Sequence, residues 1–255
     1  MGFFKTAVIA CTALAATGFM ADAAELTPFQ ENVKAALLME HRSDANRARD
    51  DNRDPVRALH FCRMDADMTV LEFGPGSGWY TELLGPLLKD NGRLISAYKE
   101  KWLKRLDKLL ALDAMTAVEK RPIDIDWNPE KRKFSVGMLD FGVHDADLAL
   151  NIREYHNFHE DGAAKLNAAT FKALKPGGYY CIIDHTRRHM QGDSPENRRR
   201  ADPVKTILQV QAAGFVLVDY TDLFYRADDE LRYEVGRKTV KGNTDRFSLL
   251  FRKPE

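Results

Sequence analysis

Apolar residues along this chain fall into short runs, with longer stretches between them in which they recur at helical spacing. The runs at residues 69–73, 93–97, 134–139, 147–152, 179–184, 215–220 and 247–252 read as strands. Between them lie amphipathic stripes, such as Leu83, Leu84, Leu87 and Leu88, and Trp102, Leu103, Leu106, Leu109 and Leu110. Strand alternating with helix predicts an α/β fold with a parallel sheet and helices on both faces. Residues 28–39 read as a further helix, with Phe29, Val33, Ala36 and Leu37 on one side. Residues 121–133 and 223–245 are polar and read as surface loops or short hairpins. Residues 41–57 mix arginines with aspartates, which predicts a solvated, salt-bridged linker. The pattern divides the chain into a leader (1–23), a small helical extension (24–57) and one main domain (58–255).

The first strand runs into Gly74-Pro75-Gly76-Ser77-Gly78 and then into the Leu83 helix. Glycines let a backbone approach a ligand closely, and a helix start presents free N–H groups. The spacing is G-x-G-x-G, with Glu72 two residues ahead and Trp79 just after. A dinucleotide-binding loop has the spacing G-x-G-x-x-G, so nicotinamide cofactors are disfavoured. A tight strand–helix turn without a ligand is the plain alternative.

Lys+Arg and Asp+Glu both total 38 in the 255 residues, a balance that argues against a nucleic-acid binder. Lys5, the apolar stretch 7–16 and Ala21-Asp22-Ala23 follow the order of a cleavable secretory leader, which predicts a periplasmic or secreted protein with no membrane anchor after cleavage. Cys62 and Cys181 could pair in an oxidising compartment. Cys181 lies in an apolar strand pattern, which favours a buried free thiol instead.

The glycine loop, the Lys175-Pro176-Gly177-Gly178 turn and the seven strands resemble class I S-adenosylmethionine (SAM) methyltransferases over about residues 55–253. Glu154-Tyr155-His156-Asn157, Asp184-His185 and Thr244-Asp245-Arg246-Phe247 are similar to a narrower group of exported bacterial proteins described as predicted methyltransferases. The resemblance implies a Rossmann-like, mostly parallel sheet whose last strand is antiparallel. It also implies SAM as cofactor, held by Gly74, Gly76 and Gly78 along its methionine part, with Glu72 at its amino end. The second strand should then end in a carboxylate for the ribose, but Tyr98 stands there and Glu100 follows two residues later. A missing charged hydrogen bond of this kind weakens binding by about tenfold to a hundredfold. Asp140, after the third predicted strand, falls where the adenine amino group would lie or serves as a turn carboxylate beside Gly142, and Asn151 ends the fourth.

Ligands in open α/β sheets bind outside the carboxyl ends of the strands. His156 and His185 follow neighbouring strands there, either one suited to take a proton from an acceptor, with His156 favoured because Tyr155 and Asn151 supply orienting partners. His144, His159 and His189 lie in the same part of the chain among carboxylates, so a metal site is an alternative. No zincin-type H-E-x-x-H helix is present. Arg187, Arg188 and Arg198-Arg199-Arg200 could attract an anion, or form a solvated basic loop. The expected activity is methyl transfer from SAM to an O or N nucleophile of a small molecule. SAM is made in the cytosol, so a leader also favours a competing expectation: an exported fold turned to non-catalytic binding of another ligand.

Overall fold

The computed structural model describes residue 2 and residues 25–255, so the leader lies outside the described residues. The chain starts with four helices, α1 (Pro28–Leu37), α2 (Asp44–Arg47), α3 (Asp50–Arg53) and α4 (Pro55–Phe61). Then follow β1 (Thr69–Phe73), α5 (Thr81–Leu88), β2 (Arg93–Tyr98), α6 (Glu100–Leu103), α7 (Asp107–Leu110) and β3 (Val118–Pro122). A small hairpin, β4 (Ile125–Asn128) and β5 (Lys133–Val136), precedes β6 (Ala146–Ile152) and α8 (Glu160–Ala173). The chain finishes with β7 (Leu174–His185), α9 (Pro203–Ala212), β8 (Val216–Thr221) and β9 (Arg246–Arg252).

Seven strands form one sheet in the order β3-β2-β1-β6-β7-β9-β8, and the β4–β5 hairpin stands apart. The pairs β3–β2, β2–β1, β1–β6 and β6–β7 are parallel, whereas β9 runs antiparallel between β7 and β8. Side chains of a strand alternate between faces, and here both faces are buried. Leu71, Ile95, Ala149, Tyr180, Ile182 and Phe251 enter one core. Val70, Leu94, Leu148, Leu150, Cys181 and Leu250 enter the other. This double burial explains why the central strands read as continuous apolar runs. The strand order reverses between β1 and β6, so their carboxyl ends open a crevice there.

The structure corrects four expectations. The third sheet strand is Val118–Pro122, not residues 134–139; Phe134 belongs to the hairpin, where it pairs with Trp127. The true third strand is an edge with no fully buried residue, so it lacks the apolar signal. The helical stripe at residues 102–110 is broken into α6, a 3-10 turn at Lys104–Leu106 and α7. Residues 41–57 are not a solvated linker: the Arg42 side chain is fully buried, paired with Asp50 at 2.7 Å and Glu82 at 2.8 Å. Cys181 is not a free thiol but is bonded to Cys62 with Cα atoms 5.4 Å apart, inside the usual disulfide range. That bond ties the residue following α4 to the middle of β7.

Helix α1 is capped by Thr27, whose hydroxyl accepts from the Gln30 N–H while the Gln30 side chain accepts from the Thr27 N–H. Its Phe29, Val33 and Ala36 share a core with Leu59, Leu83 and Leu84, so the extension is packed onto the main sheet's helices. Among the described residues no helix is long and apolar enough to cross a membrane.

Candidate functional site

At the end of β1 the chain turns through Gly74 (φ +70°) and Gly76 (φ +62°), a left-handed backbone that favours glycine. A Cβ on Gly74 would come within 2.5 Å of the Glu154 side chain, whereas one on Gly76 would project into open space. The N–H groups of Gly76 and Ser77 find no backbone acceptor among the described residues. Both residues border a cleft of about 300 Å³, lined on the strand ends by Glu72, Phe73, Leu150 and Ile152. The Glu72 carboxylate lies beneath this loop, accepting from the Thr81 hydroxyl at 2.8 Å and the Ser96 hydroxyl at 2.9 Å. Burial pushes its pKa up to about 7 against the pull of those two bonds.

The two histidines meet on the same cleft, their ring centres 6.1 Å apart. Asp184 is fully buried and holds His156 twice, accepting from its backbone N–H at 2.8 Å and from Nδ1 at 2.7 Å. The tautomer follows from these bonds: Nδ1 carries the proton, so Nε2 of His156 keeps its lone pair. His185 is arranged the opposite way. Its Nε2 accepts from Arg153 Nε at 2.9 Å and its Nδ1 meets the Thr244 hydroxyl at 2.8 Å, so its lone pair is occupied. Burial, with Arg153 and His156 nearby, holds the His185 pKa well below the ordinary imidazole value. Of the two rings, only that of His156 keeps a nitrogen lone pair free of a hydrogen-bond partner among the described residues.

Neither expected orienting partner acts on a histidine. The Tyr155 hydroxyl accepts from Asn167 at 2.9 Å and donates to Gln209 at 3.2 Å. Asn151 is buried, and strand alternation turns it away from the cleft that its neighbours Leu150 and Ile152 line. Tyr98 does end β2, but its ring packs on Phe73, Trp102 and Phe134, and its hydroxyl donates to Glu154 at 3.2 Å. Glu100 is exposed at the start of α6. Asp140 lies outside the sheet strands and is exposed, paired with Lys172 at 2.6 Å and accepting from the Gly142 N–H. Among the described residues, no acidic side chain borne by β2 or β3 lines the cleft, and the carboxylate that meets the β2 end is Glu154, bonded to Tyr98.

Two features of the cleft lie outside the predicted site residues. Glu154 closes over Gly74, bound to Tyr98 and to Asn157 at 2.9 Å, and burial pushes its pKa up to about 7. Arg49, Arg53 and Arg153 also line the space, as does Arg199, which is paired with Glu234. Arg53 lies over the Trp79 ring at 4.5 Å, and Trp79 is fixed in turn by donating to the Asn46 carbonyl at 3.0 Å. Burial, then the nearby Arg153, brings the Arg53 pKa down to about 9. Arg153 itself has a left-handed backbone (φ +64°), which turns its side chain back over His185. By contrast, Arg187 and Arg200 of the basic loop are neutralised by Asp193 and Asp229.

The histidines do not form one cluster: His144, His159 and His189 are exposed, and His189 bonds to Asp202. Among the described residues no group of three or more His, Cys, Asp or Glu side chains is arranged to hold a metal.

No protein-family model matches the chain, and no curated protein matches it. Solved structures do. A SAM-dependent methyltransferase from Aquifex aeolicus superposes with a TM-score of 0.55 at 16% identity, covering 88% of this chain and 97% of that one. Human N-acetylserotonin methyltransferase, solved with SAM, superposes with a TM-score of 0.53 at 13% identity, covering 89% of this chain and 57% of that one. The cyclase SpnF superposes with a TM-score of 0.56 at 16% identity, covering 80% of this chain and 81% of that one. With its strand order, its antiparallel β9 and these neighbours, the chain has the class I methyltransferase, Rossmann-like fold.

Proposed function

We propose that this protein is a SAM-dependent methyltransferase acting on an O or N nucleophile of a small molecule, and that it works in an exported compartment. The observation that carries the reading is the meeting of an open glycine loop with an Asp184-held His156 on one cleft. Similar solved structures, human N-acetylserotonin methyltransferase and Aeropyrum pernix fibrillarin, hold SAM. The fit to that cofactor is good at the methionine end, where Gly76 leaves space and Glu72 lies below the loop. It is poor at the ribose end, where Tyr98 and its aromatic neighbours stand in place of a carboxylate. SAM, when bound, supplies an electrophilic methyl group on a sulfonium sulfur. The chain's own part is to exclude water and to let His156 Nε2 receive the proton that the acceptor's O–H or N–H releases.

The narrower resemblance draws support from the convergence of its three motifs, since Asp184 bonds His156 and Thr244 bonds His185. The Cys62–Cys181 bond favours an oxidising compartment and so supports export. A second reading, binding of another ligand without methyl transfer, is favoured by the missing ribose carboxylate. The neighbouring SpnF is described as a cyclase, so likeness of fold leaves that reading open.

Calorimetric titration with S-adenosylhomocysteine separates the two. The expected result is weak but measurable binding, lost in Gly76→Val, where a branched side chain meets both a positive φ and the ligand's space. No heat from the wild type at millimolar ligand would hand the case to the second reading.

A further inference from the structure

The two most buried arginines outside the cleft, Arg42 and Arg200, are fully employed, and Arg187, though its Nε lacks a partner, is paired with Asp193. Arg42 donates to the Leu37 carbonyl, to Asp50 through two nitrogens and to Glu82. Arg200 donates to two backbone carbonyls and makes a two-pronged pair with Asp229. That is the usual state, because a guanidinium taken out of water without partners is costly.

Four arginines line the cleft; Arg199 is paired with Glu234, and the other three break this pattern. Arg53 is 9% exposed, yet among the described residues its guanidinium makes no hydrogen bond or ion pair, and its Nε is buried without a partner. Arg49 reaches only Asn46, at 3.4 Å, and Arg153 only the neutral His185. Behind them Arg246 is 4% exposed, its Nε also unpartnered, with one bond to the Asn52 carbonyl at 2.5 Å. None of Arg49, Arg53, Arg153 and Arg246 has a carboxylate within ion-pair distance among the described residues. The carboxylates on the same cleft are turned elsewhere, Glu72 to Thr81 and Ser96, and Glu154 to Tyr98 and Asn157.

From this we infer that the methyl acceptor is an anion, carrying a carboxylate or phosphate group that Arg49, Arg53 and Arg153 receive together beside His156. The acceptor assignment rests on the methyltransferase reading, whereas the oxyanion site stands on the arginines alone. The planar guanidinium matches carboxylate and phosphate oxygens in pairs. Stacking on Trp79 holds the Arg53 fork in place before the ligand arrives. Charge also favours the acceptor over the cofactor as the source of that anion. SAM carries two positive groups against one carboxylate, so it would add positive charge to a cleft already rich in it.

Inorganic phosphate and benzoate serve as probes in calorimetric titrations at low salt, run with and without saturating S-adenosylhomocysteine. The expectation is that at least one probe binds the wild type and still binds when S-adenosylhomocysteine is present. Arg53→Gln should weaken that binding by about tenfold or more, and Arg53→Lys by less, since it keeps the charge but loses the fork. Circular dichroism checks that both variants fold, and Arg252→Gln, on the distant Glu255 pair, should bind like wild type. Absence of binding by both probes, or equal affinity in folded Arg53→Gln, overturns the site. Displacement of the probe by S-adenosylhomocysteine overturns the acceptor assignment, because the arginines would then serve the methionine carboxylate. Probe binding with no affinity for S-adenosylhomocysteine keeps the oxyanion site and removes the methyltransferase reading.

Discussion

The hydrogen bonding of the rings is what separates His156 from His185; Tyr155 and Asn151, on whose account the sequence favours His156, bond to neither histidine. Asp184 leaves His156 with a free lone pair, whereas Arg153 occupies that of His185. His156→Ala should therefore lower turnover by about 10²–10⁴-fold with cofactor affinity nearly unchanged, as expected for loss of a general base. His185→Ala should cost clearly less, and turnover measured with an acceptor found by screening compares them. The two buried carboxylates give a stability test. Glu154 has its folded pKa near 7 against an ordinary 4.5, so the folded state holds the extra proton between those values. Its contribution is intact below pH 4.5 and is lost as pH rises through 7. Glu154→Gln should consequently raise the melting temperature at pH 8 and change it little at pH 4.5, readable by thermal denaturation. At this scale the sequence made Glu72, the glycines and both histidines visible, because a strand end followed by a turn announces itself. Arg53 and Arg153 were hidden: one needs the ring of Trp79 beneath it, the other a left-handed backbone that no residue type announces.

Among the elements, the segment holding α2 and α3 brings Arg49 and Arg53 to the cleft, and its charge mixture is what concealed it. Alternating arginine and aspartate reads as solvated surface, yet Arg42 is buried between Asp50 and Glu82 and so fastens this segment to α5. Arg42→Ala should destabilise the protein by about 3–5 kcal/mol, since it leaves two carboxylates without their cation. Urea unfolding measures this, and a loss below about 1 kcal/mol would contradict the buried network. The central strands were legible because both of their faces are apolar. The edge strand β3 was not, and the apolar run at Phe134 was read as a sheet strand because a hairpin packing an aromatic residue onto Tyr98 gives the same local pattern.

At the scale of the whole molecule, the Cys62–Cys181 bond joins segments 119 residues apart. Reduction should lower stability by about 2–5 kcal/mol, measured as a shift in the unfolding midpoint with and without dithiothreitol. The pairing escaped the sequence because a cysteine in a central strand has the same neighbours whether oxidised or reduced. Export has its own check: N-terminal sequencing of native protein should begin at or near Ala24. The position of β9 has a consequence for biogenesis. This strand, residues Arg246–Arg252, fills the slot between β7 and β8, so neither neighbour has its full set of backbone partners until the ribosome has passed residue 252. A nascent chain can gather its helices and parallel strands early, but the sheet closes only after synthesis of that last strand. On the proposed export, this late closure would keep the chain open for threading through a membrane while translation is still running.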